Sequence, residues 1–281
     1  MKSFQGRTAA ITGAASGIGR ALAEHLAKAG ANVAICDVDE AGLAETAERV
    51  KAAGAKVITR RVDVSKELEL QDFAKAVEQE LGGAHLLVNN AGVGLHGRFE
   101  EQTNADFAWL MGINFWGVVY GTRAFLPQLL AKDEANLVNV SSVFGFVAPP
   151  GQAAYCAAKF AVRGFTESIR HEYAGSRLAI TVVHPGGIKT NIANRSRAPD
   201  GFSREEAQRR AEKFNRLAAR TSAERAAEVI LKGVKGNKPR VLIGADAHLL
   251  DGLARNLPER YWSVMAPLMD PKGEFKSHGG R

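Results

Sequence analysis

Short runs of β-branched and aliphatic residues alternate with stretches of helical periodicity along nearly the whole chain, and few architectures accept that order. The runs fall at Thr8 to Thr12, Asn32 to Cys36, Lys56 to Arg60, Leu86 to Asn89, Asn136 to Val140, Ala179 to His184 and Arg240 to Ile243. Most are apolar on successive rather than alternate residues, as strands of a parallel sheet covered on both faces must be. Between them, Gly17 to Ala29, Glu40 to Ala53, Glu67 to Leu81, Asn104 to Leu130, Gln152 to Tyr173 and Ala223 to Lys232 carry apolar residues at helical spacing. Gly30 and Gly54 stand where two helices should stop, and Ser65 and Ser222 where two should be capped. Strand, helix, strand in repetition implies right-handed crossovers and a single doubly wound α/β domain, its seven-stranded parallel sheet flanked by helices on both faces.

That domain is expected to occupy residues 1–245. The alternation fails only at 190–221, an insertion after the sixth strand, where open α/β sheets bind their ligands; the expectation is a substrate lid. Residues 246–281 read as a helical extension with a frayed tail from Asp270 to Arg281. Ala247, Leu249, Leu250, Leu253, Ala254 and Leu257 form an apolar stripe, followed by Tyr261, Trp262, Met265, Leu268 and Met269. Such a helix packs on the body or across a subunit interface; weak contact with a membrane surface is the alternative, for which it has few cations.

The net charge of +7 lies in one place. Between Arg195 and Arg240 there are 13 Lys/Arg against 6 Asp/Glu, and the rest of the chain balances at 24 against 24. A basic stretch invites a nucleic-acid reading. Here the charges are interleaved with Ala207, Ala211, Phe214, Leu217 and Ala218 at helical spacing, which suits a solvated helix face, so no nucleic-acid partner is expected. Cys36 and Cys156 are the only cysteines, too few for a disulfide framework or a four-cysteine zinc site, and no histidine cluster suggests another metal. No run of 18 apolar residues suggests a transmembrane helix, and the opening residues lack a signal-peptide core; a soluble, cytoplasmic protein is expected.

The first strand ends in Thr12-Gly13-Ala14-Ala15-Ser16-Gly17-Ile18-Gly19, and a helix follows at once. Glycines so spaced permit a tight turn, let backbone approach a pyrophosphate, and aim a helix N-terminus at it. This is the phosphate loop of a Rossmann-type fold. The second strand leads to Asp37, 18 residues after Gly19, where a carboxylate would accept both hydroxyls of an adenosine ribose and repel a 2′-phosphate. Neither Ser16 nor Val38 supplies a cation for that phosphate, so NAD is favoured over NADP.

With these residues in view, the chain resembles the short-chain dehydrogenase/reductase family. Thr12 to Gly19 looks like its TGxxxGIG loop, and Asn89-Asn90-Ala91-Gly92 like its NNAG motif. Tyr155-Cys156-Ala157-Ala158-Lys159 matches YxxxK, with Ser142 standing 13 residues before the tyrosine. Asn114, and Pro185-Gly186 with Thr190 after the sixth strand, complete the order. The resemblance implies that Lys159 also binds the nicotinamide ribose and that Asn114 positions a water in a proton relay. It implies further that Asp63 and Val64 flank the adenine, that Ile188 and Thr190 hold the carboxamide, and that the protein is a homotetramer with the helices of Asn104 to Leu130 and Gln152 to Tyr173 at one interface.

The chemistry follows from the residues as well. Tyr155 and Lys159 are four apart and share a helix face, so the ammonium is expected to lower the phenol pKa toward working pH. Tyr155 then serves as general base for alcohol oxidation or general acid for ketone reduction, with Ser142 holding the reacting oxygen. A Ser142–His184 hydrolase triad fails for want of a G-x-S-x-G elbow. Cys156 points away from the site and reads as packing, and His96 as a surface loop residue. The pocket should be built from Val93-Gly94-Leu95-His96, from Val143-Phe144-Gly145-Phe146-Val147, and from Ile192 and Phe202 of the insertion. These are largely apolar, so the expected reaction interconverts a hydrophobic secondary alcohol and its ketone. One alternative is an NADP-dependent reductase of 3-oxoacyl or other ketones, with the basic segment attracting an anionic carrier; Asp37 speaks against it. Another is a non-catalytic dinucleotide-sensing or nucleic-acid-binding protein; the joint presence of Ser142, Tyr155 and Lys159 speaks against that.

Overall fold

The first strand, β1 (Thr8–Thr12), is wholly buried and sits mid-sheet between β2 (Asn32–Asp37) and β4 (Leu86–Asn89) in the computed structural model, which describes residues 1–190, 192, 196, 197 and 220–269. With β3 (Val57–Arg61), β5 (Ala135–Val140), β6 (Leu178–Pro185) and β7 (Arg240–Ile243), the strand order is β3-β2-β1-β4-β5-β6-β7, and every pairing is parallel. The order reverses between β1 and β4, so the loops leaving these strands diverge and open a crevice at their carboxyl ends. The apolar runs therefore form the expected parallel sheet, each within a residue or two of its reading. The exception in character is β3: an edge strand, it is only half-buried and ends in exposed Arg60 and Arg61.

Because strand residues point alternately to opposite faces, each strand feeds two cores. Ala9 and Ile11 pack with Leu22 and Leu26 of α1 (Gly17–Lys28), Leu43 and Val50 of α2 (Glu40–Ala52), and Ala226 and Ile230 of α7 (Ala223–Lys235). Ala10 faces the other way, toward Phe73 and Val77 of α3 (Glu67–Leu81) and Phe125 and Leu129 of α5 (Gly117–Leu130). Phe73 and Phe125 meet edge to face at 5.6 Å.

Helix ends follow the capping reading in one case and depart from it in another. Ser222 caps α7, its hydroxyl accepting from the Arg225 amide at 3.1 Å. Ser65 does not cap α3: Lys66 occupies that position without a side-chain bond, and Ser65 is drawn back to the Asp63 carboxylate, a stronger acceptor, by its amide at 3.0 Å and hydroxyl at 2.7 Å. The stretch read as one helix from Asn104 to Leu130 is α4 (Asn104–Met111) and α5 joined without a break in helical backbone by a π turn, Gly112–Trp116. Such single-turn bulges recur at functional sites, and this one carries Asn114.

The C-terminal extension packs on the body. In α8 (Ala245–Asn256) and α9 (Tyr261–Met269), Ala247, Leu250, Leu253, Ala254, Tyr261, Trp262 and Met265 form a small core with Val143, Phe144, Phe146 and Val147, which follow β5. Tyr261 accepts a hydrogen bond from the Ala148 amide at 3.1 Å. Leu249 does not belong to the stripe; it is 68% exposed. No helix among the described residues is long and apolar enough to cross a membrane. Most of the insertion (191, 193–195 and 198–219, including Phe202 and the Ala207 to Ala218 stripe) and the tail from 270 lie outside the described residues. Met265 anchors α9 at 3% exposure, so Met265→Ala should cost about 2–4 kcal/mol in urea denaturation. A loss below about 0.5 kcal/mol would mean that α9 only rests on the surface.

Candidate active site

The loop after β1 is locked to the end of β4. Asn90 donates from Nδ2 to the Thr12 and Gly13 carbonyls at 3.0 Å each, and Thr12 Oγ1 accepts from the amides of Asn90 and Ala91 at 3.0 and 3.1 Å. Gly13 has φ +68°, and a Cβ there would lie 2.6 Å from Ala91 Cα, so no other residue fits. Gly19 is as tight, 2.3 Å from the Gly13 carbonyl oxygen by the same measure. Beside Gly17, Thr190 from the loop after β6 comes within 3.1 Å of such a Cβ, which joins that loop to the start of α1. Ser16 is the N-cap of α1 but leaves its side chain out of the cap, and the first turn, with Ile18, carries no carboxylate. A helix N-terminus so arranged favours an anion.

Asp37 closes β2 with its carboxylate turned into this loop, accepting from the Ala15 amide at 2.9 Å and the Asp39 amide at 3.1 Å. A cation does stand nearby, which inspection of Ser16 and Val38 missed. Arg20 is tied to the Ala15 and Gly42 carbonyls, to Thr46 Oγ1 at 3.0 Å and to Glu45 at 2.9 Å. Asp63 is engaged with Ser65, and Val64 is buried against Gly117, where a Cβ would come within 2.9 Å of it.

Ser142 follows β5 and caps a short 3₁₀ turn, Val143–Gly145, its hydroxyl accepting from the Phe144 amide at 3.1 Å. The same hydroxyl acts on the Tyr155 phenol, holding its pKa lower than burial alone would. Tyr155 and Lys159 rise from α6 (Ala153–Glu172) on one face, with the Lys159 Nζ 5.7 Å from the Tyr155 ring centre and donating to the Val140 carbonyl at 3.1 Å. Phe144 meets the Tyr155 ring edge-on at 6.1 Å. Asn114, fully buried, is fixed by two bonds to Val93: it accepts from the amide at 2.8 Å and donates to the carbonyl at 2.9 Å. Gly92 lies between the two groups; a Cβ there would be 3.3 Å from Asn114 Oδ1 and 3.6 Å from Lys159 Nζ. Asn90-Ala91-Gly92 thus joins the glycine loop to the Ser142–Tyr155–Lys159 cluster.

One electrostatic expectation is corrected. Burial pushes the Tyr155 phenol up to about 12 and the Ser142 hydroxyl only partly offsets this, so the lowering expected from Lys159 is absent. The same burial pulls the Lys159 ammonium down to about 8. Low dielectric disfavours both charges, and the ammonium is spent on the Val140 carbonyl rather than on the phenol. Cys156, as read, is buried packing, its thiol raised to about 12.

The end of β6 and the loop after it bring Pro185, Gly186, Ile188 and Thr190 to the same end of the sheet. Ile188 is buried and bridges to Thr221. Gly186 is pinned beneath Asp246 of α8, whose carboxylate would lie 2.2 Å from a Cβ there and accepts from the Gly187 amide at 2.7 Å. Sequence reading missed Asp246; an acidic residue in the first turn of a helix beginning just after β7 was the available signal. His184 contacts the Ser142 carbonyl at 2.8 Å, not its hydroxyl, which rules out a hydrolase triad geometrically.

The expected pocket lining is partly wrong. Leu95, Val143, Phe146 and Val147 are buried in cores, because the C-terminal helices and α6 cover them; Val93 and Phe144 stay half-buried. His96 is half-buried in its loop and hydrogen-bonded with Gln152 at the start of α6. The described part of the insertion reaches this segment: Arg197 bridges to Leu95, pairs with Asp106 at 3.1 Å and lies 4.2 Å over Trp109.

Lys159 carries a burial penalty below its folded pKa of about 8 that disappears above the unfolded value of 10.5. Lys159→Met should therefore be more stable than the parent near pH 7, on the order of 1–3 kcal/mol, and lose that advantage as pH rises from 8 to 10.5. Denaturation of both proteins across that range checks the sign; a pH-independent difference would contradict it.

Comparison with known proteins agrees with this arrangement. The family model described as short chain dehydrogenase matches residues 7–201. The protein SadH of Mycobacterium tuberculosis is 44% identical over 268 residues, 95% of this chain and 96% of that one. Human estradiol 17-beta-dehydrogenase 11 is 32% identical over 268 residues, 94% of this chain and 83% of its own. The crystal structure of a short chain dehydrogenase/reductase from Burkholderia phymatum in complex with NAD superposes with a TM-score of 0.85 at 34% identity, covering 91% of this chain and 95% of that one. Sheet order, glycine loop and these matches agree: the chain belongs to the short-chain dehydrogenase/reductase family and is an oxidoreductase of that type.

Proposed function

We propose that the protein oxidises a hydrophobic secondary alcohol to its ketone, or runs the reverse reaction, with NAD as cofactor. The observation that carries this reading is the convergence of the Tyr155 phenol, the Ser142 hydroxyl and the Lys159 ammonium beside a glycine loop whose helix N-terminus carries no carboxylate. The fit to a nicotinamide dinucleotide rests on three features. Gly13, Ser16, Gly17, Ile18 and Gly19 form a cradle for a pyrophosphate, Asp37 has its carboxylate fixed at the end of β2, and Thr190 reaches Gly17. Asp63 and Val64 would flank the adenine, and Asn90, Ala91, Gly92, Pro185, Gly186 and Ile188 would line the remainder. When bound, the nicotinamide accepts or returns the hydride of the carbinol carbon.

The chain's own groups handle the proton. In oxidation, Tyr155 as phenolate takes the hydroxyl proton while the carbinol carbon loses its hydride, leaving a C=O bond. Ser142 orients the oxygen and donates to its developing charge. Lys159, whose ammonium is held by the Val140 carbonyl in the unliganded protein, would favour the phenolate on turning from that carbonyl toward the phenol oxygen, and the positive charge of an oxidised nicotinamide would act in the same direction. Asn114, rigidly held by Val93, would seat a relay water between Lys159 and solvent. Val93 and Phe144 favour an apolar substrate, with the C-terminal helices as a second wall behind the Phe144 segment. The relative named for estradiol, an apolar secondary alcohol, points the same way. Residues 190–221 would cover the substrate, supported by the tie from Arg197 to Asp106 and Leu95. A homo-oligomer, tetramer by resemblance, is supported by Trp116 and Phe160, 45% and 41% exposed at the π turn and on α6.

The test is absorbance at the reduced-nicotinamide band with NAD and with NADP, across secondary alcohols graded by size and polarity. Turnover with NAD on bulky apolar alcohols is expected, and turnover confined to small polyols or to NADP would overturn the assignment. Asp37→Ala should narrow the preference for NAD by about 10- to 100-fold, since like-charge juxtaposition with a 2′-phosphate costs several kcal/mol.

A further inference from the structure

We propose that His184 is a positioning residue for Ser142: by donating from Nδ1 to the Ser142 carbonyl it fixes the turn that presents the Ser142 hydroxyl to Tyr155. The inference rests on the function proposed above and goes beyond it. The β5–β6 ladder runs through the pairing of Val140 with Val183 and the bond from the Ser141 amide to the Val183 carbonyl at 2.8 Å. It then stops, because Pro185 has no N–H to offer β5. The side chain of His184 supplies the next rung instead, at 2.8 Å. A carbonyl only accepts, so Nδ1 carries the hydrogen and Nε2 does not.

The imidazole has few other restraints. It is fully buried, and Nε2 has no partner among the described residues. The ring leans on Phe146, centroids 5.1 Å apart, and the Arg240 guanidinium lies 5.2 Å from Phe146 in turn, paired with Asp251 at 2.6 Å. Phe146 ends the turn that begins at Ser142, so His184 grips that turn by its carbonyl at one end and by Phe146 at the other. Burial holds the imidazole pKa down to about 4, against the pull of the Ser142 bond, so the donor does not change state at working pH.

Two substitutions remove the donor, His184→Phe and, against a failure to fold, the smaller His184→Val; His184→Asn keeps a donor near the Nδ1 position. The first readout is an ultraviolet difference titration of the Tyr155 phenol, assigned against Tyr155→Phe, which needs no turnover. The Ser142 hydroxyl lowers that phenol pKa. Loosening Ser142 should therefore shift the titration further up, cutting the phenolate absorbance about threefold in the donor-less variants when read immediately after a stopped-flow jump to high pH, before unfolding, and leave it near the parent value in His184→Asn. The second readout is kcat for NAD-linked alcohol oxidation, expected to fall about tenfold or more in the donor-less variants with NADH affinity unchanged, and to recover in His184→Asn. A folded donor-less variant with the parent's phenol titration would overturn the inference, as would a His184→Asn that fails to restore it. Absence of turnover in the parent would instead count against the proposed function, leaving the titration to decide the role of His184.

Discussion

Asn90 holds together the two halves on which everything else at this end of the sheet depends. β1 and β4 are neighbours at the reversal of strand order, so their exit loops part company unless something ties them. The Asn90 amide group does so through the Thr12 and Gly13 carbonyls, and the Thr12 hydroxyl answers through the backbone of Asn90 and Ala91. The residues that follow are alanine and glycine for steric reasons: Ala91 abuts Gly13, and Gly92 fits between Asn114 and Lys159. The glycine loop and the Ser142–Tyr155–Lys159 cluster are thereby joined through one tripeptide.

The cluster itself is electrostatically costly. Lys159 is buried and Tyr155 half-buried, and burial moves both pKa values toward the neutral forms. A fold that wanted stability alone would place apolar residues here. The arrangement makes sense as a site waiting for charge, since a phenolate and an ammonium formed side by side in low dielectric stabilise each other far more than they would in water. Ser142, pinned by the Phe144 amide above and the His184 imidazole below, keeps its hydroxyl in register with that pair.

Much of this was legible in the sequence because periodicity reports which faces of an element are covered. Successive apolar residues marked the strands of a doubly covered sheet, and glycines at fixed offsets marked the turn after β1. What escaped depends on contacts between distant segments. The π turn at Gly112–Trp116 leaves no composition signal, yet it carries Asn114. Ser65 looked like a cap until the Asp63 carboxylate, two residues away, outcompeted the helix for it. Phe146 and Val147 read as pocket lining, but α8 and α9 bury them. His184 sits in an apolar run and owes its partner to a proline that ends the ladder. The burial that raises the Tyr155 phenol, against the lowering expected from spacing alone, is likewise a property of packing.

Deuterium transfer tests the central claim most directly. A bulky apolar secondary alcohol labelled at its carbinol carbon would be incubated with NAD and the protein, and the recovered NADH examined for label. The account predicts that the parent protein moves deuterium to the nicotinamide and that Tyr155→Phe, still binding NADH, does not. Equal transfer by Tyr155→Phe, or none by a parent protein that binds NADH across a broad set of apolar alcohols, would contradict it.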